Sequence, residues 1–360
     1  MREDDLKKFI SSLNPEKYKL NESLAKYTTV KIGGPADVLY QATDTEDFIN
    51  TIKLARENNI SVTVLGRGAN VLIADRGIRG LTIKNLSRNI AIGDENITVE
   101  NPELETEIEK RWESANESDG ARKMYEFKDL DYDESDSPRV EVKIDSGVDM
   151  PYAVNFLIQN GVTGLQWFAR IPGTLGGWIH NNIHGGSHFL IEVIKDVTVL
   201  TPENEVKILQ KNELNAGYDQ SRFHDSGEII LSATLNFFRG DVNRAKAAAM
   251  EWAKRKSVQP TISVGCVFKN ISQADKEKFN YPTTSAGYII EHVLGMSDFH
   301  IGDAYISTAH HNFIVNNGEA TAKDYIAVIN EIQKRTKEKL GIELVPEIFY
   351  LGEFVSPIES

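Results

Sequence analysis

The sequence predicts a mixed fold of strands and helices built as two or three domains. Three observations carry this. The 360 residues exceed the ~100–200 of a typical domain. The apolar fraction is 41%, a little low but compatible with a packed core. Short β-branched runs alternate with stretches of helical spacing, with no internal repeat.

In chain order, "ADVLYQAT" has strand character. "TDTE" (Thr43 to Glu46) matches a capping box, and "DFINTIKLARENN" then carries apolar residues at helical spacing. "ISVTVLG" is a β-branched strand ending at Gly66, and "GLTIKNL" and "IAIGDENITVE" read as further short strands. Between about 101 and 138 thirteen acidic side chains face five basic ones with little periodicity, which predicts a partly mobile surface insertion with no chemistry of its own. Order resumes with the strand "RVEVKIDSGVDM" and the helix "PYAVNFLIQNG". A Gly-rich segment follows, then a strand–turn–strand in "IKDVTVLTPENEV" and a long strand in "EIILSATLNFF". The helix "VNRAKAAAMEWAKRKS" reads as a link to a C-terminal unit. That unit holds the helix "SAGYIIEHVLG", the strand "NFIVNNG", the helix "AKDYIAVINEIQKRTKEKLG" and the strand "PEIFYLG".

Composition narrows the function. The net charge of −13 repels nucleic acid and anionic membranes, so an anionic ligand needs a local site of backbone N–H groups and a few cations. No segment approaches the ~20 apolar residues of a spanning helix, and "MREDDLKKFI" is not a secretory signal. The single cysteine, Cys266, excludes an intramolecular disulfide and a cysteine-based metal centre, and fits a reducing cytosol. A lone cysteine is either a small buried hydrophobe or a reactive thiol.

Two Gly-rich turns stand out. In "VLGRGANVLIAD" a strand runs into Gly-Arg-Gly-Ala-Asn, where successive N–H groups can point at a phosphate, although a plain hairpin turn explains the same residues. It is neither a dinucleotide fingerprint nor a P-loop. In "RIPGTLGGWIHNN" the glycine pairs allow close backbone approach to a flat or anionic ligand, and Thr174 adds a hydroxyl. Together the turns suggest one ligand gripped at two points. His180, His184 and His188 are four apart, but Gly185-Gly186 interrupts any helix between them, so no metal site is expected. His310-His311 reads as structural or substrate-side.

The blocks "TTVKIGGPADVLY", "LGRGANVLI", "GLQWFARIPGTLGG", "GCVFKN", "SAGYIIEHVLG", "HHNFIVNNGEATAKDYIAVI" and "LGIELVPEIFYLG" occur in an order that resembles the UDP-N-acetylenolpyruvoylglucosamine reductases. The resemblance spans Tyr27 to Gly352 apart from the acidic stretch. It implies an α+β, two-subdomain FAD-binding fold of the vanillyl-alcohol-oxidase (PCMH) type, followed by a C-terminal α+β substrate domain. The implied boundaries are 1–88, 89–240 with the insertion, and 241–360. It implies FAD and NADPH as cofactors, a UDP-sugar substrate in cell-wall precursor synthesis, and a cytoplasmic enzyme; oligomeric state stays open.

Carried over, Gly66, Arg67, Gly68, Ala69, Asn70 and Val71 would hold the FAD pyrophosphate, with Ala69 where the family usually has Ser. Gly173, Thr174, Gly176 and Gly177 match the second flavin loop, with Asn181 or its neighbour Asn182 beside the flavin. The resemblance implies hydride transfer from flavin N5 to C3 of the enolpyruvyl group, with a proton delivered to C2. Cys266 stands where the family's proton-donating Ser stands. Glu347 matches the acidic residue working opposite that donor, though a strand-opening carboxylate is often only a solvated edge. Asn270 matches a substrate-diphosphate contact, with Lys269 beside it, and Tyr218 matches the tyrosine of the family's Tyr-Arg pair.

The chain departs from the pattern at Asp219, which occupies that arginine's place in "GYDQSRFH". A carboxylate there repels the developing negative charge, so another cation must serve. Arg222 is the first choice and Arg170 the second. The alternatives are a flavin oxidoreductase of the same fold acting on another sugar or alcohol, or a flavin- or sugar-nucleotide-binding relative without turnover.

Overall fold

In the computed structural model, residues 3–93, 95–98 and 130–354 are described. The chain divides into two compact units, one of residues 1–40, 55–83 and 259–360, the other of 41–54 and 84–258. The first unit therefore draws on both ends of the chain.

Within the first unit, four strands pair in the order Tyr18–Ser23, Pro35–Ala42, Ile78–Asn85, Val62–Leu65. The strand Val71–Ile73, which follows the first Gly-rich turn, lies parallel to the last strand, Phe349–Leu351, with Val71 opposite Phe349. Asp75, just beyond Val71–Ile73, accepts the N–H groups of Ala322 and Lys323, and Thr321 caps the same helix, Ala322–Leu340. Val30, Ile32 and Leu72 share one core with Val264, Val267, Phe268, Ile332 and Ile348. Burying a side chain such as Phe268 contributes roughly 1.5–3 kcal/mol. This packing fixes the backbone on both sides of Cys266. "SAGYIIEHVLG" is a single α-turn, Ala286–Tyr288, that widens into a π-turn, Ile289–Val293, rather than one regular helix.

The second unit is built on a six-stranded antiparallel sheet, in the order Val206–Gln210, Ile194–Leu200, Ile229–Phe238, Arg139–Asp145, Asn89–Ile92, Glu95–Thr98. The helix Met150–Gln159 is capped by Asp149 and carries Pro151 in its first turn. The helix Val242–Lys256 is capped by Asp241 and buries Ala245, Ala248, Ala249 and Trp252 in this unit's core. The helix Thr45–Glu57 starts one step later than the Thr43–Glu46 pattern predicts. Asp44 accepts the Asp47 N–H, and Asp47 in turn accepts from the Thr43 N–H, because a short carboxylate caps as well as a hydroxyl.

Much of the acidic stretch lies outside the described residues. Its last part does not behave as a solvated loop. Leu130 is buried and its carbonyl takes the Trp167 indole N–H at 2.6 Å, while Gln166 donates to Tyr132 and to the buried Glu134. Alternating Leu-Asp-Tyr-Asp-Glu supplies both apolar anchors and acceptors, so this end docks although its composition is acidic. Among the described residues no helix is long and apolar enough to cross a membrane.

Candidate active site

In the first unit, Thr29 stands between the first Gly-rich turn and the cysteine peptide. Its N–H donates to the Gly68 carbonyl at 3.1 Å, and its hydroxyl donates to the Ser263 carbonyl at 2.6 Å. Gly68 has φ +68°, and a Cβ there would collide with the Tyr27 carbonyl and come within 2.9 Å of Thr28 Cα, so only glycine fits. Among the described residues, the amide N–H groups of Gly68, Ala69 and Asn70 meet no acceptor. Three successive free donors on a rigid turn suit a diphosphate, so this turn fits the FAD pyrophosphate. The loss of a hydroxyl at Ala69 leaves those donors intact.

The same turn is bonded to the Glu347 peptide. Asn70 Nδ2 donates to the Glu347 carbonyl at 3.1 Å, and the Phe349 N–H donates to the Asn70 carbonyl at 3.0 Å. Glu347 also donates its N–H to the carbonyl of Val267, directly after Cys266, and the Lys269 N–H reaches the Val345 carbonyl. The cysteine and glutamate peptides thus run side by side, antiparallel, with the Gly-rich turn fastened to the second of them. Cys266 is half-buried and outside any disulfide, next to Gly265 at φ +87°. Asn312 clamps this peptide from the other side, accepting the Phe268 N–H and donating to the Phe268 carbonyl. Asn270 Oδ1 accepts the Ala286 N–H. Among the described residues, Asn270 Nδ2 and Lys269 Nζ have no partner and remain able to take an anion.

In the second unit, the other Gly-rich turn opens the helix Leu175–Asn181. Thr174 caps it by accepting the Gly177 N–H, and the Gly176 N–H donates to the Ser146 carbonyl at 2.9 Å. A Cβ on Gly173 would sit 2.7 Å from the Trp178 ring. Asn182 is fully used in the fold. It is buried, donates to the Gly217 carbonyl and accepts the Ile191 N–H. Among the described residues, Asn181 Oδ1 and Trp178 Nε1 are buried without a hydrogen-bond partner, which leaves Asn181 as the one of the pair able to serve a ligand.

Tyr218 and Asp219 occupy a tight turn closed by Gly217 N–H to the Gln220 carbonyl, with Asp219 at φ +47°. Tyr218 is exposed and stacks on His184 at 5.2 Å. Arg222 is held elsewhere. Its Nε and Nη2 grip Glu228 at 2.8 and 3.0 Å, and its Nη1 donates to the Glu213 carbonyl. Such a bidentate pair is strong and directional. Arg170 has no partner among the described residues and sits at φ +63°, a conformation costly for a residue with a Cβ. The three histidines of the four-residue spacing diverge. His180 stacks on His224 and burial pushes it down to about 4, His184 stacks on Tyr218, and His188 stacks on Trp167 while binding Asp131 and Glu192.

Thr29 and Asn312 escaped the sequence reading. Both stand inside the blocks "TTVKIGG" and "HHNFIVNNG", but their side chains act on residues more than forty positions away, and nothing local marks that.

Comparison with known proteins follows the same lines. Residues 258–351 match the family model of the UDP-N-acetylenolpyruvoylglucosamine reductase C-terminal domain, and residues 124–210 match an FAD-binding domain. The reductase of that name from Caldanaerobacter subterraneus subsp. tengcongensis is 31% identical, covering 95% of this chain and 96% of that protein. The one from Prochlorococcus marinus subsp. pastoris is 33% identical, covering 93% and 97%. The crystal structure of the Thermus caldophilus reductase superposes with a TM-score of 0.65 at 23% identity, covering 93% of this chain and 98% of that one, so the two share a fold.

Proposed function

The chain belongs to the UDP-N-acetylenolpyruvoylglucosamine reductase family, and from that premise we propose that it reduces the enolpyruvyl sugar nucleotide to UDP-N-acetylmuramate with NADPH as electron source. As a member it is an FAD-dependent oxidoreductase of peptidoglycan precursor synthesis. In the first unit the turn Gly66–Val71 would hold the FAD pyrophosphate; in the second, Gly173–Gly177 with Asn181 match the family's other flavin loop. Bound there, the FAD would supply hydride chemistry between NADPH and the substrate double bond.

The protein's own residues do the rest. Cys266 gives a proton to C2. A thiol, with an ordinary pKa near 8.5, gives it up more readily than the alcohol that family members carry. Glu347, whose backbone is bonded to the residue after Cys266, works on the enolate side as a general acid. Lys269 Nζ and Asn270 Nδ2 take the diphosphate, and Tyr218 presents an exposed ring to the sugar nucleotide. Arg170 replaces the arginine missing at position 219, because Arg222 is already held by Glu228 and Arg170 is not held by any side chain described.

The observation that supports this reading best is the cysteine peptide bonded beside Glu347, which is fastened in turn to a loop with three free amides. The test is anaerobic reduction of the flavoprotein followed by the enolpyruvyl sugar. Reoxidation on the turnover timescale, slowed strongly in Cys266→Ala, supports it. Flavin retained without substrate-dependent NADPH oxidation would instead make the protein a binder.

A further inference from the structure

A second constellation lies in the first unit, among residues that the reductase chemistry does not use. Ser297 Oγ is 2.8 Å from His311 Nε2, and the other ring nitrogen of His311, Nδ1, is 3.0 Å from Glu291 Oε2. Ser297 is exposed, in the turn closed by the Phe299 N–H to the Met296 carbonyl, so its hydroxyl is open to solvent and to a small molecule. His311 is 9% exposed, and its ring is fixed by contacts at both nitrogens. Glu291 rises from the π-turn Ile289–Val293, a helix irregularity that recurs at functional positions. A hydroxyl within hydrogen-bond reach of an imidazole that is itself oriented by a carboxylate is the general signature of an activated nucleophile. Among the described residues the N–H groups of Ser297 and Asp298 have no acceptor, which leaves two donors beside the hydroxyl for a developing oxyanion.

We propose that Ser297, His311 and Glu291 form a nucleophile–base–carboxylate relay that hydrolyses small acyl esters, independently of the reductase reaction. Ser297 Oγ bonds to the ester carbonyl carbon as its proton passes to His311 Nε2. The carbon–alkoxy bond breaks, and the alcohol leaves with that proton. Water, deprotonated by His311, then cleaves the acyl-serine to acid and free serine. One ester and one water give one acid and one alcohol, with no redox change.

The test uses the full-length flavoprotein carrying Cys266→Ala, so that the thiol cannot react. It is treated with a fluorophosphonate probe and mapped by peptide mass, and p-nitrophenyl acetate hydrolysis is measured alongside. The expected result is a single adduct on Ser297, and an ester hydrolysis rate that falls at least tenfold in Ser297→Ala and in His311→Gln. Ser297→Ala alters an exposed side chain and leaves the fold intact, so it remains informative if the buried His311 variant loses stability. An unmodified Ser297, labelling that persists at the same rate in a folded His311→Gln, or hydrolysis unchanged in Ser297→Ala overturns the proposal.

Discussion

Replacing Arg170 by glycine should move activity and stability in opposite directions. Arg170 sits at φ +63°, where a residue with a Cβ pays about 1–2 kcal/mol. Glycine removes that strain but adds about 0.5–1 kcal/mol of unfolded-state entropy. The net effect on folding is a gain between zero and roughly 1.5 kcal/mol. No ion pair or hydrogen bond is lost, since the guanidinium has no partner among the described residues. If this guanidinium neutralises the charge developing on the substrate carboxylate, its loss costs about 2.7–4 kcal/mol of barrier, or 10²–10³ in kcat. Arg170→Lys keeps the charge and the strain but loses the planar fork, and should fall between the two. The assay pairs steady-state NADPH oxidation at saturating enolpyruvyl sugar with urea denaturation of the same preparations. Wild-type kcat in Arg170→Gly would refute the assignment. Arg222→Met gives the contrast. It should destabilise by up to about 3–5 kcal/mol by leaving Glu228 unpaired, with kcat of the folded fraction little changed.

Cys266→Ala should lower product formation by about 10²–10⁴ while NADPH still bleaches the flavin at its normal rate; an unchanged single-turnover rate would show that the proton comes from elsewhere. Gly68→Ala must adopt φ +68° and displace the Tyr27 backbone, so a loss of roughly 2–4 kcal/mol is expected, read as a lower Tm and less flavin absorbance per chain. Asn181→Ala should weaken flavin retention without lowering apoprotein Tm, whereas Asn182→Ala removes two hydrogen bonds from a buried site and should cost about 2–3 kcal/mol of stability; the reverse pattern contradicts the assignment. His180 is pushed down to about 4, first by burial and then by His224. Its neutral form therefore contributes stability that is fully present above the unfolded value near 6.5 and is lost as pH falls toward 4. The contribution is at most about 3 kcal/mol, and His180→Gln should flatten this part of the acid limb in denaturation midpoints measured from pH 7 to 4.

Local sequence determined most of the elements and both Gly-rich turns. β-branched runs became the strands of the six-stranded sheet, the Asp149 and Asp241 caps and the Gly161 exit bounded their helices, and the two Gly-rich turns formed where glycine alone tolerates the backbone. These are decisions within a few residues, where dihedral preference and capping act. The long-range ties were decided only by folding. The strand after the first Gly-rich turn pairs with the last strand of the chain, and Thr29 links a turn near position 68 to a peptide near 263. Sequence ranked Arg222 ahead of Arg170 as the substitute cation, and left open which of Asn181 and Asn182 serves the flavin. The tertiary structure separates each pair by partner: Glu228 holds one arginine, and Gly217 and Ile191 hold one asparagine. A side chain's chemistry is set by its residue type, but its availability depends on whether the folded neighbours already satisfy it, and those neighbours come from distant segments that no local pattern encodes.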